Sequence, residues 1–255
     1  MITVENLQKS FQGIPVLKGI STTFEKGKTN MIIGQSGSGK TVFLKCLLGL
    51  HQPESGIIDF DGRHQHKLSI KAQRQLRKEI GMVFQGGALY DSLTVEENVM
   101  FPLKMFTSQS YKEMLGRVHV VLNRVNLENI TGKFPSELSG GMQKRVAIAR
   151  AIVMNPRYLF CDEPNSGLDP KTAIVIDNLI QEITKEYDIT TVINSHDMNS
   201  VMEIGEKIVF LKDGVKAWEG SNKEIFKTEN DTVVDFVYSS NLFKKVREIS
   251  LKETK

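Results

Sequence analysis

The stretch GQSGSGKT at residues 34–41 combines closely spaced glycines with a lysine and a hydroxyl, residue types that together grip an anion. It follows the apolar run Met31, Ile32, Ile33 and opens an apolar segment over residues 42–50. Strand, glycine-rich loop and helix, in that order, give the pattern G-x-x-x-x-G-K-[ST] its meaning as a phosphate-binding loop. Gly34, Gly37 and Gly39 let the backbone curl around Ser36 and Ser38, so that several N–H groups point at one anion. The helix that starts there adds its own unpaired N–H groups and the positive end of its dipole. Lys40 is expected to reach the β- and γ-phosphates of a nucleoside triphosphate, and Thr41 to offer its hydroxyl to Mg²⁺. GKT recurs at residues 27–29, but position 22 is Thr and no second glycine closes a loop, so a turn between strands is expected there.

Two further groupings suit the same chemistry. Tyr158, Leu159, Phe160 and Cys161 form an apolar strand that ends in adjacent carboxylates, Asp162 and Glu163, before Pro164. At the end of a strand beside a phosphate loop, Asp162 suits the orienting of Mg²⁺, and Glu163 suits the polarising of an attacking water. By itself the pair also reads as two acids at a solvated strand end. LSGGM at residues 138–142 follows Pro135 and precedes a helical run through Ala151. Ser139 caps that helix, and Gly140 and Gly141 leave its first N–H groups bare. Two readings stand for it: an ordinary helix start, or an anion site that completes the nucleotide pocket of a second subunit.

The elements that must position these residues belong to a large α/β domain. The 255 residues suffice for a packed core, and 25% charged with 40% hydrophobic residues is ordinary globular composition. A net charge of +3 does not argue for nucleic acid. No charged and apolar leader opens the chain, and no apolar run reaches about 18 residues, so a soluble intracellular protein is expected. Cys46 and Cys161 read as buried small hydrophobes and not as a disulfide. The five histidines lack metal-ligand spacing.

Short β-type segments precede the phosphate loop, and Ile57 to Phe60 and Gly81 to Phe84 read as strands. The polar stretch 63–78 reads as a solvated linker and helix face. Met114, Leu115, Val118, Val121, Leu122 and Val125 form a helical stripe within 111–125. Strands resume near 158, 191 and 207, and helical stretches alternate with them, as a parallel sheet requires. The expectation is an α/β fold with a mainly parallel sheet, an N-terminal antiparallel β part and a helical subdomain of about 88–155. The domain is expected to span 1–228, with a helical tail over 229–255.

The ordered set of residues 34–41, Gln85, 138–142, Asp162 with Glu163, SGLD at 166–169 and His196 resembles the nucleotide-binding subunit of ABC transporters over residues 1–225. That resemblance implies an ATPase with ATP and Mg²⁺ as cofactors, working as a homodimer with an integral membrane permease. It implies that Phe11 stacks on adenine with Val16 beside it, and that Gln85 senses Mg²⁺ and the attacking water. It also implies that Ser139, Gly140 and Gly141 touch the γ-phosphate across the dimer. Asp169 belongs to the D-loop by the same resemblance, and His196 is the switch residue at the γ-phosphate. Met142 departs from the glutamine frequent at its position and cannot hydrogen-bond a facing ribose. Asn165 departs too, with no large consequence expected.

The stretch after Gln85, with Gly87, Ala88, Leu89 and Tyr90, is similar to the Mce-associated branch typified by the Mla phospholipid system, which also tends to carry LSGGM. The implied cargo is phospholipid. The implied companions are an Mla-type permease, a possible substrate-binding Mce-type subunit and an accessory cytoplasmic subunit, at the cytoplasmic face of an inner membrane. An importer of a small polar solute such as an amino acid is the alternative within transport. A stand-alone ABC ATPase of DNA repair or translation is the alternative of another class, and no nucleic-acid partner is expected. Leu89, Tyr90, Leu93, Val99 and Phe101 suit a surface that receives a permease helix, and equally suit a core. An apolar stripe over Val234, Val237, Leu242, Phe243, Val246 and Ile249 suits contact with a twin subunit, an accessory protein or a membrane.

Overall fold

The structure is a computed structural model and describes residues 1–238. The chain divides into two compact units, one built from residues 1–25, 29–67 and 194 onward, the other from 26–28 and 68–193.

The first unit opens on a long hairpin, β1 (Ile2–Phe11) and β2 (Ile14–Phe24). Ile2, Val4 and Leu7 of β1 are buried and pair with residues of β2 in antiparallel register. The short β-type segments expected before the phosphate loop are thus parts of longer continuous strands. Gly13, with φ of +80°, sits in the turn between them; Gly19 does not break β2, because its φ of +88° lets the strand bulge past the side chain of Asn6. β3 (Thr29–Ile33) is wholly buried and feeds the phosphate loop, after which α1 (Lys40–Leu47) begins. β4 (Ser55–Phe60) and the two-residue β5 (Arg63–His64) complete a four-stranded antiparallel sheet in the order β2-β1-β4-β5.

The second unit carries α2 (Ile70–Lys78), in which Leu76 is buried, Ala72, Gln73 and Lys78 are half-buried and the rest is exposed. It continues with β6 (Ile80–Val83), α3 (Val95–Phe106), α4 (Tyr111–Arg124), α5 (Gly140–Ile152), β7 (Tyr158–Asp162), α6 (Pro170–Glu186) and β8 (Thr190–Asn194). Thr94 with Glu97, and Ser110 with Glu113, form capping boxes that start α3 and α4. α4 buries Val118, Val121 and Leu122, the stripe that the helical spacing predicts. Its strands run β8-β7-β6, and β6 pairs with β7 in parallel. Cys161 is fully buried in β7, and burial pushes its thiol far up; Cys46 is buried in α1 with its thiol raised to about 11.

The first unit then resumes with α7 (Met198–Ile204), β9 (Lys207–Lys212), β10 (Val215–Gly220) and α8 (Asp231–Val237). β9 pairs with β3 in parallel, Met31 opposite Ile208, while β10 returns antiparallel to β9. The parallel pairings were legible in the sequence; the antiparallel β10 was not. In α8, Val233 and Val237 are the buried pair, and Val234 is only half-buried. Leu242, Phe243, Val246 and Ile249 lie outside the described residues. Among the described residues, no helix is long and apolar enough to cross a membrane.

Candidate functional site

The phosphate loop in the first unit takes its shape from three glycines. Gly34 has φ of +151°, Gly37 of +81° and Gly39 of +100°. A Cβ on Gly34 would stand 2.2 Å from the Leu211 carbonyl and 2.7 Å from Ser38 Oγ. A Cβ on Gly39 would stand 2.9 Å from Leu17 and 3.3 Å from the Val16 carbonyl, which places Val16 against the loop. Gly39 itself caps α1 in the left-handed conformation. Lys40 is buried, and its ammonium donates to the carbonyls of Gly34 at 2.8 Å and Gln35 at 3.0 Å. Thr41 is exposed beside it.

The loop fits an anion. Ser38 Oγ is buried and has no hydrogen-bond partner among the described residues, and the space a Cβ would take on Gly37 is open. Gly34→Ala is expected to displace the loop, because the clash is with backbone and not with a side chain that could turn aside. Strain of about 1–3 kcal/mol converts to a loss of ATP affinity of roughly 5- to 150-fold. Titration with a fluorescent ATP analogue, alongside a thermal melt, checks this; an unchanged Kd would show that the loop tolerates the side chain.

Phe11 ends β1 with 40% of its surface exposed. Its ring meets His51 edge-on at 5.3 Å, and Lys9 lies over it at 5.0 Å from the centroid. An exposed ring of this kind suits stacking on a base. His196 follows β8 and is exposed; the Ser195 N–H donates to the Ile32 carbonyl at 3.1 Å, which fixes that segment against the strand entering the phosphate loop.

The second unit brings together Gln85, Glu163 and Ser166. Gln85 Nε2 donates to Glu163 Oε2 at 2.8 Å and lies 3.4 Å from Ser166 Oγ. Asp162 ends β7, and Glu163 follows it in the left-handed conformation with φ of +46°. That backbone is unfavourable for a residue with a side chain, and such strain collects at working sites. Ser139 caps α5 through the Met142 N–H at 3.3 Å, and with Gly140 it is exposed. Gly141 is buried instead; a Cβ there would stand 2.6 Å from Thr172 Cγ2, so this glycine permits the close approach of α5 to α6. Asp169 caps α6 through the N–H groups of Lys171 and Thr172, both at 3.1 Å. Hydrogen bonds from Thr172 hold its carboxyl below the usual carboxylate range.

Among the described residues, no cluster of three or more His, Cys, Asp and Glu offers a metal cage. The expected Mg²⁺ ligands, Thr41, Gln85 and Asp162, are all oxygen donors. A small set of oxygens suits an ion that keeps waters and takes phosphate oxygens for the rest.

Sequence reasoning missed four residues that organise these segments. Asn98 is fully buried; its amide donates to the carbonyls of Tyr90, Leu93 and Thr94, each at 3.0 Å, and its oxygen accepts from the Tyr90 N–H at 2.8 Å. Arg150 donates to the carbonyls of Gly87 and Ala88, each at 2.7 Å. Lys144 donates to the Gln85 carbonyl. Asn165, expected to matter little, is buried with its amide 3.3 Å from Asp177 Oδ2. An amide or a cation in a helix carries no local signal of which distant carbonyl it will meet.

A groove of about 400 Å³ lies beside this loop, lined by Met82, Phe84, Tyr90, Phe101, Phe106 and Met154, with Arg77, Lys78 and Arg150. Tyr90 and Phe101 meet at 4.9 Å within it. Of the surface read from the sequence, Val99 is fully buried core, and Leu89 and Leu93 do not line the groove. Val99 sits on the inner face of α3, whose exposed side carries Phe106.

Residues 17–166 match the family model described as ABC transporter. The methionine import ATP-binding protein MetN of Caulobacter vibrioides is 37% identical over 240 residues, 93% of this chain and 72% of that protein. MetN of Latilactobacillus sakei is 39% identical over 235 residues, 92% of this chain and 68% of its own length. Both are named for methionine import. Among solved structures, the ATP-binding cassette MJ0796, dimeric and bound to ADP and Pi, superposes with a TM-score of 0.79 at 33% identity, covering 87% of this chain and 99% of that one. The cbiO1 protein of Clostridium perfringens, part of the ABC transporter complex cbiONQ, superposes with a TM-score of 0.83 at 31% identity over 98% of each chain.

Proposed function

The chain belongs to the ABC transporter family as an ATP-binding subunit, and on that premise we propose that its ATP hydrolysis drives import of a small polar solute of the amino-acid class through a separate membrane permease. The family match over residues 17–166 carries the first part of this reading. The methionine import relatives, matched over nearly the whole of this chain, support the second.

The roles follow the chemistry of each residue. The amides of the phosphate loop and Lys40 hold the β- and γ-phosphates, and Phe11 with Val16 holds the base. Thr41, Gln85 and Asp162 would hold Mg²⁺, which would neutralise phosphate charge. Glu163 accepts a proton from water as the water oxygen attacks the γ-phosphorus and the bond to the β-phosphate oxygen breaks, releasing ADP and phosphate. His196 and Gln85 orient the γ-phosphate and the water. Two copies pair, so that Ser139, Gly140 and Gly141 of one meet the nucleotide held by the other; that the similar cassette bound to ADP and Pi is dimeric supports the pairing. The groove around Phe84, Tyr90 and Phe101 receives an apolar helix of the permease and seats the chain at the membrane's cytoplasmic face.

A phospholipid cargo remains a second reading, favoured by Gly87, Ala88, Leu89 and Tyr90 and by Met142. One experiment separates the two. Uptake of labelled methionine and other amino acids is measured in cells lacking this chain and in cells given it back. Uptake that falls to background and is restored supports import. Unchanged uptake, with phospholipid co-extracted in the purified complex and stimulating its ATPase, moves the cargo to lipid.

A further inference from the structure

Lys144 lies one turn inside α5 from the LSGGM motif and is only 7% exposed. Burying an ammonium costs several kcal/mol unless it is paired. Its hydrogen bond goes to the carbonyl of Gln85, and Glu163 is the first acidic group that acts on its charge. Burial pulls this lysine below the ordinary ammonium range, and the pull of Glu163 opposes that shift. Gln85 is therefore held at both ends: Lys144 takes its backbone carbonyl, and Glu163 accepts from its side-chain amide at 2.8 Å. Further along the same helix, Arg150 secures Gly87 and Ala88. A neutral donor would satisfy the Gln85 carbonyl at lower desolvation cost; what the cation adds is attraction for the Glu163 carboxylate.

We infer that Lys144 is a positioning residue for hydrolysis. It makes α5 a strut between the signature end, Ser139 to Gly141, and the Gln85–Glu163 pair of the same chain. Displacement of the helix start is transmitted along hydrogen-bonded turns to the carbonyl of Gln85, and through the Gln85 amide to Glu163. The inference rests on the reading of Gln85 and Glu163 as parts of the hydrolytic centre. In that reading, a nucleotide that engages the signature also sets the base of the chain that supplies the signature.

The test uses the full chain in its transporter complex, with Lys144→Met, Lys144→Gln and Lys144→Arg. In the Met and Gln variants kcat is expected to fall about tenfold or more, the scale of one charge-assisted hydrogen bond, while KM for ATP stays within about threefold. Lys144→Arg keeps the charge and the donors and is expected to recover most of the loss. If the Met variant does not fold, the Gln variant carries the test, since it retains a donor for the Gln85 carbonyl and loses only the charge that acts on Glu163. A folded Met or Gln variant with kcat within about twofold of the parent overturns the inference, as does a fall that Arg fails to reverse. Glu163→Gln, assayed in parallel, separates the two levels: if it abolishes turnover and the Lys144 variants keep kcat within about twofold of the parent, only the strut is wrong. If it leaves turnover intact, the reading of the centre itself fails.

Discussion

Glu163→Gln is expected to bind ATP as tightly as the parent chain while its turnover falls roughly 10²–10⁴-fold, the range removed with a general base. Glutamine is close to isosteric with glutamate, so the left-handed turn at φ +46° and the approach of Gln85 Nε2 at 2.8 Å have no steric reason to change. What changes is proton affinity, because an amide oxygen does not accept the proton that leaves an attacking water. Bound ATP should therefore accumulate uncleaved and favour the paired form of two copies. Single-turnover hydrolysis and size-exclusion chromatography with ATP measure the two halves of this expectation. Near-normal turnover would take Glu163 out of the base role.

Lys40→Ala should fail one step earlier. The ammonium is buried at the start of α1 and bound to the carbonyls of Gly34 and Gln35, so it brings a fixed positive charge to the loop. A charge-assisted hydrogen bond is worth about 1.5–3 kcal/mol, so ATP affinity should fall by roughly ten- to a hundredfold. Turnover should fall further, because negative charge on the transferring phosphoryl group is then left without its cation. Equilibrium titration with ATP and steady-state phosphate release distinguish this variant from Glu163→Gln, which keeps binding and loses only the chemistry. Unchanged affinity and turnover in Lys40→Ala would refute the assigned grip.

Much of the site was legible in the chain because its geometry is local. In 34–41 the glycines, the lysine and the helix start lie within one turn, so residue order alone dictates which groups face the anion. The same holds for Ser139 capping α5 and for Asp169 capping α6, where a side chain meets N–H groups two or three residues away. The strand before the loop was legible too: Met31, Ile32 and Ile33 end β3, which is buried throughout. The groove was only partly legible. Tyr90 and Phe101 line it, but Val99 faces the core, and helical spacing near a proline does not say which apolar face is covered. Cargo was the least legible feature, since residues 87–90 and Met142 span only a short loop and a helix start, whereas similarity to other ATP-binding subunits extends across the domain.

The sequence by itself determined that this chain grips a nucleoside triphosphate and belongs to an ATP-driven transporter. Motifs of fixed spacing act through backbone rules that operate within a few residues. Only the tertiary structure decided how the motifs are held to one another. Gln85 meets Glu163 across 78 residues of chain, and Lys144 reaches Gln85 across 59. Contacts of that range are set by how α5, β6 and β7 pack, and packing follows from the burial of whole faces, which no local pattern specifies.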